Sequence, residues 1–192
     1  MYKNLPLYDL EIDDEVIGMF TISLVDEPAV ESNFYAFSKE VDEMEVKCSV
    51  IDDGMEHRIL ACICRADFPI LRVNENGKYY IRFSKETIQK MTQKFLKEGY
   101  QGAINLMHDH EAYVDGVELT QLFIKDTEKG ISPKGFEEIE EGSLFGIYKI
   151  ENDEVWKAIK NGLFKGVSLE GIFHPKEHVI DSLDELYDTL KN

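Results

Sequence analysis

Apolar residues in this chain fall mostly into short runs bounded by turn-forming residues, a pattern that predicts strands rather than long helices. Residues 16–25 (VIGMFTISLV) are apolar and β-branched, and Asp26, Glu27 and Pro28 stop them. Residues 58–64 (RILACIC) read as a buried strand. Asn74 to Gly77 is a turn signal before the alternating run 78–83, which predicts a hairpin. Residues 103–108 and 117–124 predict two strands around an acidic loop at 108–116, and residues 144–150 and 165–173 predict two more.

Helical spacing is confined to three places. Ser84 stands as an N-cap before Ile88, Met91 and Phe95, and Gly99 follows where a C-cap glycine belongs. Asn152 or Asp153 caps a short helix carrying Val155, Trp156 and Ile159, ended by Gly162. Ser182 and Glu185 form a capping box ahead of Leu183, Leu186, Tyr187 and Leu190, one apolar stripe. The polar stretches at 38–45 and 127–142 read as acidic loops. With no internal repeat, residues 1–192 read as a single β-rich α+β domain.

Composition narrows the function classes. The chain has 192 residues, 43% hydrophobic and 31% charged, which suits a globular fold with a real core. Its formal charge of −17 opposes binding to phosphate backbones and to anionic membranes, and favours a basic protein partner. The first ten residues lack the continuous apolar stretch of a signal peptide, and no run approaches the length of a membrane span. Three cysteines, Cys48, Cys62 and Cys64, are an odd number for a disulfide framework and point to a reducing cytosol.

Two short segments can carry chemistry. In Gly166-Val167-Ser168-Leu169-Glu170-Gly171, strand alternation puts Ser168 and Glu170 on one face and Val167 and Leu169 on the other. The flanking glycines suit close approach of another backbone or a ligand. The bland reading, a solvent-facing serine on an ordinary strand, is the commoner one for a lone serine. In Asn105-Leu106-Met107-His108-Asp109-His110, histidine is the usual base for a serine nucleophile, because its pKa lies near neutrality. His108 shares strand parity with Ile104 and Leu106, which places it against the apolar face, whereas His110 reads as a solvated loop residue.

A rival pattern, His174-x-x-Glu177-His178, matches the H-x-x-E-H signature of one zinc protease group. That signature needs a helix to bring both histidines to one face. Pro175 and the end of a strand at His174 argue against a helix there, so no metal or other cofactor is expected. Cys62 and Cys64 read as a same-face pair in the core, and neither a G-x-S-x-G elbow nor a P-loop is present.

Taken in order, these segments resemble the phage prohead protease family, in particular its XkdF-type serine proteases. The similarity lies in Leu5-Pro6-Leu7-Tyr8, Gly18 to Ala29 (GMFTISLVDEPA), Pro69 to Arg72, and Tyr79 to Phe83 with the helix of Phe95. It continues in Asn105-Leu106-Met107-His108-Asp109, Glu154-Val155-Trp156 to Gly162, and Gly166 to Gly171. The resemblance implies an endopeptidase related to the herpesvirus assembly proteases, with a mainly antiparallel, barrel-like sheet and about three flanking helices. It implies that His108 takes the proton of Ser168, which attacks the scissile carbonyl. The implied substrates are the phage scaffold and major capsid proteins, and in some cases the protease itself. The implied setting is the immature capsid in the host cytoplasm, with a homo-oligomer as one possible state.

The third catalytic group stays open. Related herpesvirus enzymes use a second histidine, and here His174 lies just past the serine strand. Other prohead proteases resemble the chain through a segment that follows the serine, whereas here the similar segment, Ile22 to Ala29, stands near the N-terminus. That order suggests a circular permutation, which would place the acid at Thr21. Glu170, preferred, and Asp109 are the acidic candidates, and a dyad completed by water is the remaining arrangement.

Overall fold

The computed structural model of the chain describes residues 5–15, 18–26, 49–52, 57–102 and 104–178. Among these residues the strands form three four-stranded sheets. The first joins β1 (Leu7–Glu11), β5 (Ile70–Asn74), β6 (Gly77–Arg82) and β12 (His174–Glu177) in the order β12-β1-β6-β5. The second joins β2 (Gly18–Val25), β7 (Ile104–Leu106), β8 (Asp109–Tyr113) and β11 (Gly166–Ile172) in the order β11-β2-β7-β8. The third joins β3 (Ser49–Asp52), β4 (His57–Cys64), β9 (Val117–Ile124) and β10 (Leu144–Ile150) in the order β3-β4-β10-β9. Neighbours are antiparallel except β1 with β6 and β2 with β7.

This arrangement corrects the expected barrel-like sheet with three flanking helices. A closed barrel pairs every strand on both sides. Among the described residues each sheet is open, ending at β12 and β5, at β11 and β8, and at β3 and β9. Two α-helices occur among the described residues, α1 (Lys85–Glu98) and α2 (Asp153–Lys160). The β-rich character does hold. The expected helix at 182–190 and the acidic stretch at 38–45 lie outside the described residues.

Both helices form where their caps predict. Ser84 Oγ accepts the Thr87 N–H at 3.1 Å, and Gly99 closes α1 in the left-handed conformation at φ 77°. The Asn152 side chain accepts the N–H groups of Glu154 and Val155 at 3.0 and 3.1 Å, opening α2. Helix α1 buries Ile88, Met91 and Phe95, each contributing about 1.5–3 kcal/mol of hydrophobic stabilisation. Helix α2 buries Val155, Trp156 and Ile159, and His57 stacks on Trp156 with ring centroids 4.4 Å apart. The main core draws on all three sheets and both helices, with Leu10, Ile22, Ile59, Phe95, Tyr148 and Trp156 among its members.

A second, smaller core joins Leu60, Cys62, Phe145, Phe136 and Ile139. It anchors the acidic segment 127–142, which carries little regular structure but is firmly held. The buried Lys125 ammonium donates to the carbonyls of Phe136, Glu137 and Ile139 at 3.3, 2.8 and 2.6 Å. Arg65, its guanidinium 3.6 Å above the Phe68 ring centroid, pairs with Glu140. The expected same-face cysteine pair is split between the cores: Cys62 joins the smaller cluster and Cys64 the larger. The cause is a register shift in the β4–β10 ladder, where Leu144 pairs with Cys64 and the next residue, Phe145, with Cys62.

Candidate active site

Strand β2 sets one polar and one apolar face on the second sheet. Ile22 and Leu24 enter the core, while Thr21 and Ser23, equally buried, alternate with them. The register places Ser23 between Ser168 of β11 and Asn105 of β7, and Thr21 opposite Glu170. Directly paired residues share a face. One face of this sheet therefore gathers Thr21, Ser23, Asn105, Ser168 and Glu170. Beyond Glu170 the strand can approach β2 closely because residue 171 is glycine: a Cβ there would stand 2.6 Å from the Gly18 carbonyl oxygen.

His108 reaches this face by an unexpected route. Strand β7 stops at Leu106, which pairs with Asp109 of β8, so Met107 and His108 form a two-residue hairpin turn. Both have positive φ, 55° and 60°. That is the signature of the tight turns that match strand twist, normally filled by Asn-Gly or Asp-Gly. Two non-glycine residues in this conformation cost about 1–2 kcal/mol each. The turn overturns the strand-parity expectation: His108 does not lie with Ile104 and Leu106 but turns onto the face of Asn105 and Ser23.

The hydrogen bonds of this cluster fix the protonation pattern. Ser23 Oγ donates to Glu170 Oε1 at 2.6 Å, and Asn105 Nδ2 donates to the same oxygen at 3.0 Å. His108 Nδ1 lies 3.1 Å from Ser23 Oγ and 3.1 Å from Glu170 Oε1. The single hydroxyl proton of Ser23 is committed to Glu170, so both groups facing Nδ1 are acceptors. The proton of a neutral His108 therefore sits on Nδ1, which leaves Nε2 with a free lone pair. His110 Nε2 lies 3.2 Å from Glu170 Oε2, so both carboxylate oxygens are engaged. Burial raises the Glu170 pKa, but the hydrogen bonds from Ser23, Asn105 and His108 outweigh it and hold the carboxyl below its ordinary value.

A cavity of about 350 Å³ lies along β11. Ser168 and Glu170 line it, with Ile63, Ile70, Phe83 and Phe173 among its apolar walls. Ser168 is 6% exposed, whereas Ser23 is fully buried in the interior of the sheet. His108 is open to solvent, with 45% of its side chain exposed.

The sequence candidates fall as follows. His108 and Glu170 come together at hydrogen-bonding distance. Ser168 shares their face of the sheet, and its hydroxyl makes no side-chain hydrogen bond among the described residues. Asp109 turns away and accepts the Glu111 N–H at 2.9 Å. His174 pairs with Asp13 at 3.3 Å. Residues 174–177 are a strand, not the helix that the zinc signature needs, and His174 and His178 face different aspartates. Ser23, Asn105 and His110 were not singled out as site residues. Nothing in the run VIGMFTISLV marks Ser23, and His110, expected as a solvated loop residue, lies on β8 and reaches Glu170.

Three open sheets carrying a serine, histidine and carboxylate cluster beside a cavity define a β-rich protein with the groups of a serine hydrolase. Residues 73–177 match the family described as "Putative phage serine protease XkdF", and the chain belongs to that family. No curated protein and no solved structure matches the chain significantly.

Proposed function

We propose that this protein is a serine endopeptidase of phage head maturation, acting on scaffold and major capsid proteins inside the immature capsid. The observation that carries the reading is the Glu170–His108 pair on the face that bears Ser168, within a family of phage serine proteases. Glu170 orients His108 with its proton on Nδ1, and Nε2 acts as the base. As Ser168 Oγ attacks the scissile carbonyl, its proton passes to His108 Nε2. The imidazolium then gives that proton to the leaving amine, and water resolves the acyl-enzyme by the reverse sequence. Ser23 and Asn105 are positioning residues that hold Glu170 ionised and in place.

Burial favours Ser168 over Ser23 as nucleophile. Ser23 is enclosed between β11 and β7 and has spent its proton on Glu170. Ser168 stands on an edge strand and lines the cavity. Among the described residues one side of the β11 backbone has no strand partner, which suits an extended peptide, and its N–H groups near Ser168 are candidates for the oxyanion site. Co-expression with the scaffold and capsid proteins tests the reading: processing should occur with the native chain and stop with Ser168→Ala. Unchanged processing by that variant would sink it. A second reading, an assembly module of the same fold without catalysis, draws on the absence of a Ser168–His108 hydrogen bond. It predicts that the native chain binds the scaffold or capsid protein and cleaves neither.

A further inference from the structure

The cavity beside Ser168 holds a cation that the mechanism does not use. Its walls are apolar except for Cys64, Ser168, Glu170 and Arg72. Glu170 is engaged at both oxygens by Ser23, Asn105 and the two histidines. Arg72 makes one side-chain hydrogen bond, from Nη1 to the Leu71 carbonyl at 3.1 Å, and no described carboxylate lies within ion-pair distance of it. Its counterparts differ: Arg65 is held by Glu140, and Arg82 by Asp9. Acids are not scarce in a chain with 38 of them, so the open guanidinium is not a matter of composition. Burial lowers the Arg72 pKa, with only a weaker opposing effect from Tyr79 and Cys64. A guanidinium keeps its charge in proteins, and a desolvated one gains most from a carboxylate that meets its planar fork.

We propose that Arg72 is the specificity determinant of the cavity and that it binds the carboxylate of an acidic substrate side chain close to the scissile bond. The apolar walls take the aliphatic stem of that side chain, and Arg72 takes its head. A basic side chain is repelled, and a neutral isostere leaves the guanidinium unpaired. This inference rests on the proposed peptidase function, but its test separates the two.

The experiment uses the intact protein and a positional-scanning set of internally quenched peptides, with Glu, Gln, Leu or Lys at each position around the cleavage point. Peptides with Glu at one position should be cleaved at least about 10-fold faster than their Gln counterparts. In Arg72→Gln that preference should vanish through loss of Glu cleavage. Arg72→Glu should turn the preference toward Lys, which a mere folding defect would not do. The same Glu and Gln peptides are offered to the Ser168→Ala protein, with binding read by fluorescence anisotropy. Cleavage without a preference for Glu, or a preference that survives in Arg72→Gln, overturns the specificity assignment and leaves the peptidase standing. No cleavage of any peptide, with Glu-selective binding that is lost on adding Arg72→Gln, removes the peptidase and supports the pocket. Neither cleavage nor Glu-selective binding overturns the pocket assignment.

Discussion

Two acid–histidine pairs stand on different sheets of this molecule, and they are built for different ends. On the first sheet, His178 Nδ1 lies 2.7 Å from Asp9 Oδ2, and Arg82 grips the same carboxylate at 2.8 and 3.2 Å. This cluster ties β12, β1 and β6 together, and its histidine is 13% exposed. On the second sheet, Glu170 meets His108 with no arginine in between, a serine hydroxyl completes the network, and a second serine lines the adjoining cavity. An acid beside a histidine is thus not a site in itself. What separates a fastening from a catalytic arrangement is whether the far nitrogen of the imidazole is open and whether a nucleophile shares its face.

Substitutions can break this contrast. The largest effect is expected at His108, where replacement by Ala should lower peptide cleavage by about 10²–10⁴-fold. Glu170→Gln should come next or nearly equal it, since the amide no longer holds Nδ1–H as a carboxylate does. Steady-state kinetics on folded protein would check both. If either variant keeps near-native turnover, the assignment on the second sheet is wrong. Ser23→Ala should be milder, about 10-fold in kcat with little change in KM. It should also move the acid limb of the pH–rate profile upward. The sign follows from the network: the Ser23 hydrogen bond helps depress the Glu170 pKa, so its removal raises the pH at which that carboxylate takes a proton. Complete loss of turnover in the folded variant would instead mark Ser23 as the nucleophile.

At the fastening, Asp9→Asn should leave turnover per folded molecule unchanged and cost about 1–3 kcal/mol in urea unfolding. Burial raises the Asp9 pKa, but Arg82 and His178 outweigh it and hold the carboxyl below its ordinary value. A depressed folded-state pKa contributes stability above the unfolded value and loses it as pH falls through the folded one. The native chain should therefore lose stability below the ordinary carboxylate range, and Asp9→Asn should flatten that part of the curve. The smallest effect concerns the turn: Met107→Gly relieves a positive φ at an exposed residue and should stabilise the fold by about 1 kcal/mol.

The same contrast explains what could be read from the chain alone. Strand 58–64, buried on both faces, announces itself by its continuous apolar run, and the Phe95 and Trp156 helices by period and caps. Strands β1, β8 and β12 do not. Their residues are largely exposed or mixed, so DHEAY and HPKE carry no apolar alternation, and only tertiary pairing makes them strands. The open sheets are equally illegible, since closure depends on which edges meet and not on any one segment. Ser168 and Glu170 share a face by strand parity alone. Ser23 joins them only through the β2–β11 register, and His108 only through a hairpin turn of Met107 and His108 that no turn-forming pair signals.

The most direct measurement is active-site labelling. The intact protein is treated with a fluorophosphonate, and the modified residue is located by peptide mass spectrometry in the native chain, Ser168→Ala and Ser23→Ala. Labelling at Ser168 is predicted for the native chain, lost in Ser168→Ala and retained at a reduced rate in Ser23→Ala. Labelling at Ser23, or a native chain that takes no label, would contradict the account.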